Sequence, residues 1–150
     1  MDDFQVFVKP VGASCNLACS YCYYLAKREL FTDSGLHRMT DDLLEIYIIQ
    51  HIQASAEPTI FFSWHGGEPT LAGLEYFRRI AEIQKKHLPA NRIALNGIQT
   101  NGTLLNEEWC QFLKGENFIV GISIDGPEEY QSVNRHRKDG QSSLDAVLHG

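Results

Sequence analysis

"TIFFSWHGGEPTLAGLEYFRRIAEIQKKH", Thr59 to His87, holds a whole strand-to-helix unit in one stretch. Its first six residues are β-branched or aromatic apart from Ser63, which is strand composition. The following His-Gly-Gly-Glu-Pro cannot prolong a strand, because glycine and proline break the ladder. Beyond it, Phe77, Ile80, Ala81 and Leu88 share one helical face, and Lys85, Lys86 and His87 gather near the helix C-terminus, where cations suit the macrodipole.

The same alternation extends in both directions. Further strands are predicted at "QVFVKP" (Gln5 to Pro10), "RIALNGIQ" (Arg92 to Gln99) and "FIVGISID" (Phe118 to Asp125). A helix is predicted in "TDDLLEIYIIQHIQAS", with Thr40 or Asp41 as N-cap and Leu44, Ile48 and Ile52 on its apolar face. Another runs through "NEEWCQFLKG", opening on Asn106 and closing before Gly115 as the C′ residue, with Cys110 a buried helical thiol. A last helix starts near Ser142. Alternating elements predict an α/β fold with parallel strands and right-handed crossovers, the start of either an open doubly wound sheet or a β/α barrel. The fourth helix has barely begun at Gly150, so residues 1–150 are expected to be part of a larger domain.

Composition narrows the function. Thirteen basic against 19 acidic residues give a net charge of -6, which argues against a nucleic-acid-binding surface. "MDDFQVFVKP" is neither a signal peptide nor a membrane span. A cytoplasmic location is therefore expected, where thiols stay reduced and close cysteines mean metal or catalysis.

Each predicted strand runs into an unusual segment: "GASCNLACSYC", "HGGEPT", "QTNGTL" and "SIDGP". In β/α architectures that C-terminal rim is where sites are built. Cys15, Cys19 and Cys22, spaced C-x3-C-x2-C, can converge from one loop. A closed zinc site wants four protein ligands and a complete 4Fe–4S cluster wants four cysteines. Three thiolates leave one iron of such a cluster open to another ligand, and zinc completed by a distant His or Cys110 is the alternative. Gly66 and Gly67 let backbone approach a ligand, with Glu68 offering a carboxylate to an amine, or the segment is simply a turn into a helix. "QTNG" and "SIDGP" are ordinary turn formers taken singly, yet Gln99 and Ser123 stand at strand ends where they can line a pocket.

Taken together, "VKPVGASCNLACSYCYY", "FFSWHGGEPTLAGLEYF", "IQTNGTLLNEEWCQFL" and "VGISIDGPEEY" resemble the radical S-adenosylmethionine (SAM) superfamily, and within it the anaerobic sulfatase-maturating enzymes. The resemblance covers essentially the whole chain. It implies the N-terminal portion of a partial (β/α)6 TIM-like barrel, cut after about the fourth β/α unit, without the family's C-terminal auxiliary-cluster domain. Cys15, Cys19 and Cys22 would hold a 4Fe–4S cluster whose open iron chelates SAM. Tyr21 would lie beside the cluster or adenine. Glu68, with the Gly66–Gly67 backbone, would receive the SAM amino group, and Ser123 its carboxylate or ribose. Arg135 aligns with the Arg of the family's His-Asp-x-x-Arg segment and would pair with the carboxylate; here Gln131 and Ser132 replace the His and Asp. Gln99 and Asn101 would line the SAM cavity, and Tyr24 and His65 the substrate side.

The implied activity is that of a radical SAM oxidoreductase. Reductive cleavage of SAM gives a 5′-deoxyadenosyl radical, which abstracts hydrogen from a Cys or Ser of a sulfatase on the way to Cα-formylglycine. The implied partners are a sulfatase or other peptide substrate and a reduced flavodoxin- or ferredoxin-type electron donor, with neither nucleic acid nor membrane. The family's acid/base would lie beyond residue 150. The alternatives are maturation of another ribosomally made peptide, or a non-catalytic zinc or iron–sulfur module.

Overall fold

A computed structural model describes residues 4–27 and 36–150. The elements are β1 (Phe7–Val8), α1 (Asp41–Ala54), β2 (Thr59–Trp64), a 3-10 helix (Pro69–Ala72), α2 (Leu74–His87), β3 (Ile93–Thr100), α3 (Glu107–Gly115), β4 (Ile119–Ile122), α4 (Glu128–Asn134) and α5 (Leu144–His149). The strands form one parallel sheet in the order β1-β2-β3-β4. Pairing sets Phe7 opposite Ser63, Ser63 opposite Gly97, and Gln99 opposite Gly121.

Strand alternation divides the sheet into two unlike faces. Val8, Ile60, Phe62, Trp64 and Ile98 join the core with Leu44, Ile48 and Ile52 of α1, Phe77, Ile80 and Ile83 of α2, and Trp109, Phe112 and Leu113 of α3. The other face carries Phe61, Ser63, Gly97, Gln99 and Gly121, none of them in that core cluster. A doubly wound sheet would be covered on both sides, whereas a barrel wall has its helices outside. Along the order β1-β2-β3-β4, α1, α2 and α3 all pack on one face, the arrangement of a barrel wall, and Ser63, Gln99, Gly97 and Gly121 lie on the face that corresponds to its interior. One polar set is buried on the helix side: Asn96 Oδ1 accepts from Trp64 Nε1 (2.9 Å) and Gln84 Nε2 (3.0 Å), and Asn96 Nδ2 donates to Gln84 Oε1 (2.8 Å). It satisfies groups that burial would otherwise penalise.

Several local expectations change. β1 is confined to Phe7–Val8 rather than Gln5 to Pro10, because only that pair finds partners on β2. α3 runs through Gly115, and the left-handed residue after it is Asn117, with φ 54°. Phe118 N donates to Leu113 O (2.8 Å) and Asn117 N to Lys114 O (3.2 Å), the Schellman closure, with Phe118 packed on Phe112. Cys110 is exposed, because α3 buries Trp109, Phe112 and Leu113 instead. Leu88 caps α2 only half-buried, and α4 is a helix that the polar, turn-rich sequence around it did not announce. Thr40 caps α1 as expected, its hydroxyl accepting from Leu43 N. Among the described residues no helix is long and apolar enough to cross a membrane.

Candidate functional site

The cysteine loop leaves β1 and is pinned on two sides by backbone. On one side Gly67 N donates to Gly12 O (2.9 Å) and Glu68 N to Ser14 O (2.8 Å). On the other, Ala18 N donates to His136 O (2.9 Å) and Ser20 N to Asn134 O (2.8 Å), with an antiparallel bridge between Leu17 and Arg137. A loop of polar residues and thiols thus gains a fixed path from its neighbours rather than from its own secondary structure.

This seat explains the two glycines. A Cβ on Gly67 would collide with Ser14 O, and would lie 2.7 Å from the Ala13 carbonyl carbon. Gly66 has φ 118°, and a Cβ there would lie 2.7 Å from Gly12 O. Both positions need glycine for close approach of backbone to backbone. The sequence suggested closeness to a ligand, and the immediate neighbour is the cysteine loop.

Glu68 is fully buried. Its Oε1 accepts from Thr70 N (3.0 Å), Thr70 Oγ1 (2.6 Å) and Thr100 Oγ1 (2.7 Å), and its Oε2 from Asn101 N (2.7 Å). Four donors on a buried carboxylate are what make its burial tolerable. They also tie the end of β2 to the end of β3, so Glu68 fixes the geometry of two of the four rim segments.

Gln99 lies over Gly121 on the open face, where a Cβ would strike its amide, and its Nε2 donates to Ser123 Oγ (2.9 Å). Ser123 N continues the strand pairing by donating to Thr100 O (2.9 Å). These two side chains, which the sequence set at strand ends, therefore stand side by side at the rim.

Tyr21 and Arg135 also meet. Arg135 Nη1 donates to Tyr21 Oη (2.8 Å), and Tyr21 Oη donates to the Asp125 carboxylate, 2.9 Å from each oxygen. Arg135 is buried, its Nε has no hydrogen-bond partner among the described residues, and its Nη1 lies 3.9 Å from Asp125 Oδ1. Gln131, fully buried, holds this corner together. Its Oε1 accepts from Asp125 N (2.9 Å), its Nε2 donates to Ser143 Oγ (3.0 Å), and Ser143 Oγ donates to Arg135 O (2.6 Å). The residue standing where the family pattern has His is thus a structural bridge.

His65 is at the β1–β2 end of the rim. Its backbone N donates to Val8 O (2.7 Å), its Nε2 meets Ser63 Oγ (2.9 Å), and its ring stands edge-on to Phe7 at 4.8 Å. Burial, and then Lys9, hold its pKa below the usual histidine value. Tyr24 is half-buried between cations, with Lys9 Nζ 5.3 Å and Lys27 Nζ 5.6 Å from its ring centre.

The three thiols feel one another. Burial pushes the Cys19 thiol up, the Arg135 guanidinium opposes this, and Cys15 and Cys22 push it further up. Cys19 is buried, while Cys15 and Cys22 are half-buried. Among the described residues, no three His, Cys, Asp or Glu side chains come close enough together to hold a single metal ion. Cys15 and Cys22 lie at electrostatic range of Cys19, and the Arg135 guanidinium faces Cys19.

Sequence reading missed Asn16, Thr70, Thr100, Thr103, Asp125 and Gln131. Asn16 sits between two cysteines and Thr100 and Asp125 lie inside segments already singled out, so proximity to those segments was the available signal. Gln131 gave none beyond its place in the Arg135 segment.

Comparison with known proteins follows the same residues. The Radical SAM superfamily model matches residues 10–150. A serine-type anaerobic sulfatase-maturating enzyme of Bacteroides thetaiotaomicron is 47% identical over 145 residues, 97% of this chain and 35% of the relative. A cysteine-type anaerobic sulfatase-maturating enzyme of Clostridium perfringens is 39% identical over 135 residues, 90% of this chain and 36% of the relative. The chain therefore spans about a third of the length of the curated relatives it matches. A solved structure named native anSMEcpe with bound AdoMet and Cp18Cys peptide superposes with a TM-score of 0.84 at 37% identity, covering 95% of this chain and 37% of that one. Native anSMEcpe with bound AdoMet gives 0.85 at 37% identity, covering 95% and 38%.

Proposed function

The chain belongs to the radical SAM superfamily, and we propose that it is the cofactor-binding N-terminal part of an anaerobic sulfatase-maturating enzyme, which oxidises a Cys or Ser of a sulfatase to Cα-formylglycine. The observation that carries this reading is the agreement of two independent facts. Similarity to both serine-type and cysteine-type maturases runs along nine-tenths or more of the chain. The residues that make the sequence distinctive also sit together on one rim of a parallel sheet.

The donor set fits an iron–sulfur cluster. Cys15, Cys19 and Cys22 supply three adjoining thiols, and buried Arg135 places a cation beside Cys19, which suits an anionic thiolate assembly. Bound together, such a cluster and SAM supply one-electron reductive cleavage and a carbon-centred radical that takes hydrogen from the substrate. What the chain itself contributes is binding and orientation. The Gly66–Gly67 backbone, held by Glu68, would face the SAM amino group. Glu68 would share in receiving it, since Oε2, which accepts from Asn101 N, keeps a further lone pair. Ser123 and Gln99 would meet the carboxylate or ribose, and Asn101 would close that side of the cavity. Arg135 would balance the carboxylate from beneath Tyr21, which shields the corner from water. Tyr24 and His65 would line the approach of the substrate. A reduced flavodoxin or ferredoxin would deliver the electron, and the site of action would be the cytoplasm.

The test is anaerobic reconstitution of the full-length protein with iron and sulfide, EPR spectroscopy with and without SAM, and incubation with Ser- and Cys-containing sulfatase-motif peptides. A cluster signal altered by SAM, and a serine peptide lighter by two hydrogens, are expected. Zinc in place of iron, or a cluster signal indifferent to SAM, refutes the reading. An unmodified peptide alongside normal SAM cleavage would instead reassign the substrate to another ribosomally made peptide.

A further inference from the structure

We infer that Asn101 sets the reduction potential of the cluster through a hydrogen bond to the Cys15 sulfur, held in orientation by a closed ring of side chains with Asn16 and Thr103. The inference rests on the reading that Cys15 is a cluster ligand.

Asn101 is the first residue after β3 and is buried. Its Nδ2 lies 3.7 Å from Cys15 Sγ and 2.9 Å from Asn16 Oδ1. Which end of an amide faces which neighbour is often ambiguous, but here it is decided. Asn101 Oδ1 accepts from Thr103 N (3.0 Å) and from Thr103 Oγ1 (2.7 Å). A turned amide would set its NH2 against the Thr103 backbone N–H. Thr103 Oγ1 in turn accepts from Asn16 Nδ2 (2.7 Å). Asn16 thus donates to Thr103, Thr103 to Asn101, and Asn101 back to Asn16. In such a cycle each bond polarises the next. The backbone is tied down as well, since Asn101 N donates to buried Glu68.

Little of this arrangement is needed merely to close a turn. An Asn-Gly turn after a strand works with the side chain in water, whereas Asn101 is buried with its remaining N–H aimed at sulfur. Cys15 Sγ also accepts from Leu17 N (3.4 Å) and as a thiol donates to Asn16 Oδ1 (3.9 Å), so at least two N–H groups among the described residues point at this sulfur. Hydrogen bonds to cluster sulfurs are among the controls on cluster potential. An N–H dipole stabilises negative charge on sulfur, and reduction adds negative charge, so the reduced state gains more and the potential rises. Asn101 is accordingly a tuning residue, acting through Cys15 and needing no contact with SAM or peptide to do so. Asn16 and Thr103 keep its donor from turning away.

The experiment is an EPR-monitored redox titration of reconstituted full-length protein without SAM, with iron and sulfide quantified in every sample. Wild type is compared with Asn101→Ala, Asn101→Asp and Thr103→Val. Midpoint potentials should move negative, least for Thr103→Val and most for Asn101→Asp, which replaces the donor by an anionic acceptor. Wild-type potentials in cluster-loaded Asn101→Ala and Asn101→Asp overturn the inference while leaving the cluster assignment intact. Should the Asn101 variants fail to load, Thr103→Val decides, since it nearly keeps side-chain volume and leaves Asn101 in place: a negative shift supports the inference and an unchanged potential overturns it. Failure of wild type itself to take up a cluster refutes the functional reading instead, and the inference falls with it.

Discussion

Substituting Glu68→Gln tests whether the buried carboxylate is the tie between β2 and β3. In the native chain its oxygens accept from four donors, three on Oε1 and one on Oε2. A glutamine has one oxygen and one NH2. With the oxygen kept at the three-donor position, the NH2 must face the Asn101 backbone N–H. One charge-assisted bond is lost, and such bonds contribute about 1.5–3 kcal/mol; a buried donor is left unpaired, which costs about 1–3 kcal/mol. The cost should therefore be about 3 kcal/mol, and near 150 residues each kcal/mol moves the melting temperature by roughly 2–4 °C. A fall of about 6–12 °C is expected by circular dichroism or calorimetry. Thr100→Val, which removes one donor to Glu68 and the acceptor of Gly102 N, should cost about 2–3 kcal/mol. Because the two residues touch, the double variant should depart from additivity by at least about 0.5 kcal/mol. A Glu68→Gln protein melting within a degree or so of wild type, or strict additivity with Thr100→Val, would show that the carboxylate is not held as described.

Three further outcomes follow from the same geometry. Gly67→Ala drives a methyl into the Ser14 carbonyl and should break the two bonds seating the cysteine loop, costing about 1–3 kcal/mol and lowering iron uptake on reconstitution; normal melting with full iron content would refute it. Gly115→Ala is its counterpart of opposite sign. Among the described residues, apart from its chain neighbours and the helix's own backbone, nothing lies within 4 Å of the added Cβ, so the last turn of α3 should gain up to about 0.5–1 kcal/mol, read as a higher melting temperature, and a loss would contradict the open surroundings. Burial lowers the pKa of His51, only partly offset by its contact with Phe61 O. The unfolded chain then binds the proton first, so stability should decline as pH falls below about 6.5. Burial lowers His65 with the same sign. His51→Gln should flatten the slope of melting temperature against pH between neutral and mildly acidic buffer, and an unaltered slope would refute this assignment.

The β/α order and the rim motifs were legible in the amino-acid sequence because they are local. Period-two and helical patterns, N-caps such as Thr40 and Asn106, and the Gly-Gly and Asn-Gly breaks act within a few residues, and β2 was bounded to the residue. What pairs with what was not legible. β1 shrank to Phe7–Val8 because strand length depends on the partner strand. Cys110 became exposed because α3 had to turn Trp109, Phe112 and Leu113 inward. That α1, α2 and α3 all pack on one face of the strand order β1-β2-β3-β4, as in a barrel wall, is a relation that no stretch of strand or helix contains. Glu68 and Asn101 show the same division at the site. Their identities drew attention in the sequence, but their partners Thr100 and Asn16 lie 32 and 85 residues away. A side chain's chemistry is fixed by its type, whereas its burial, its charge balance and the direction of its hydrogen bonds are fixed by whatever distant chain the fold brings against it.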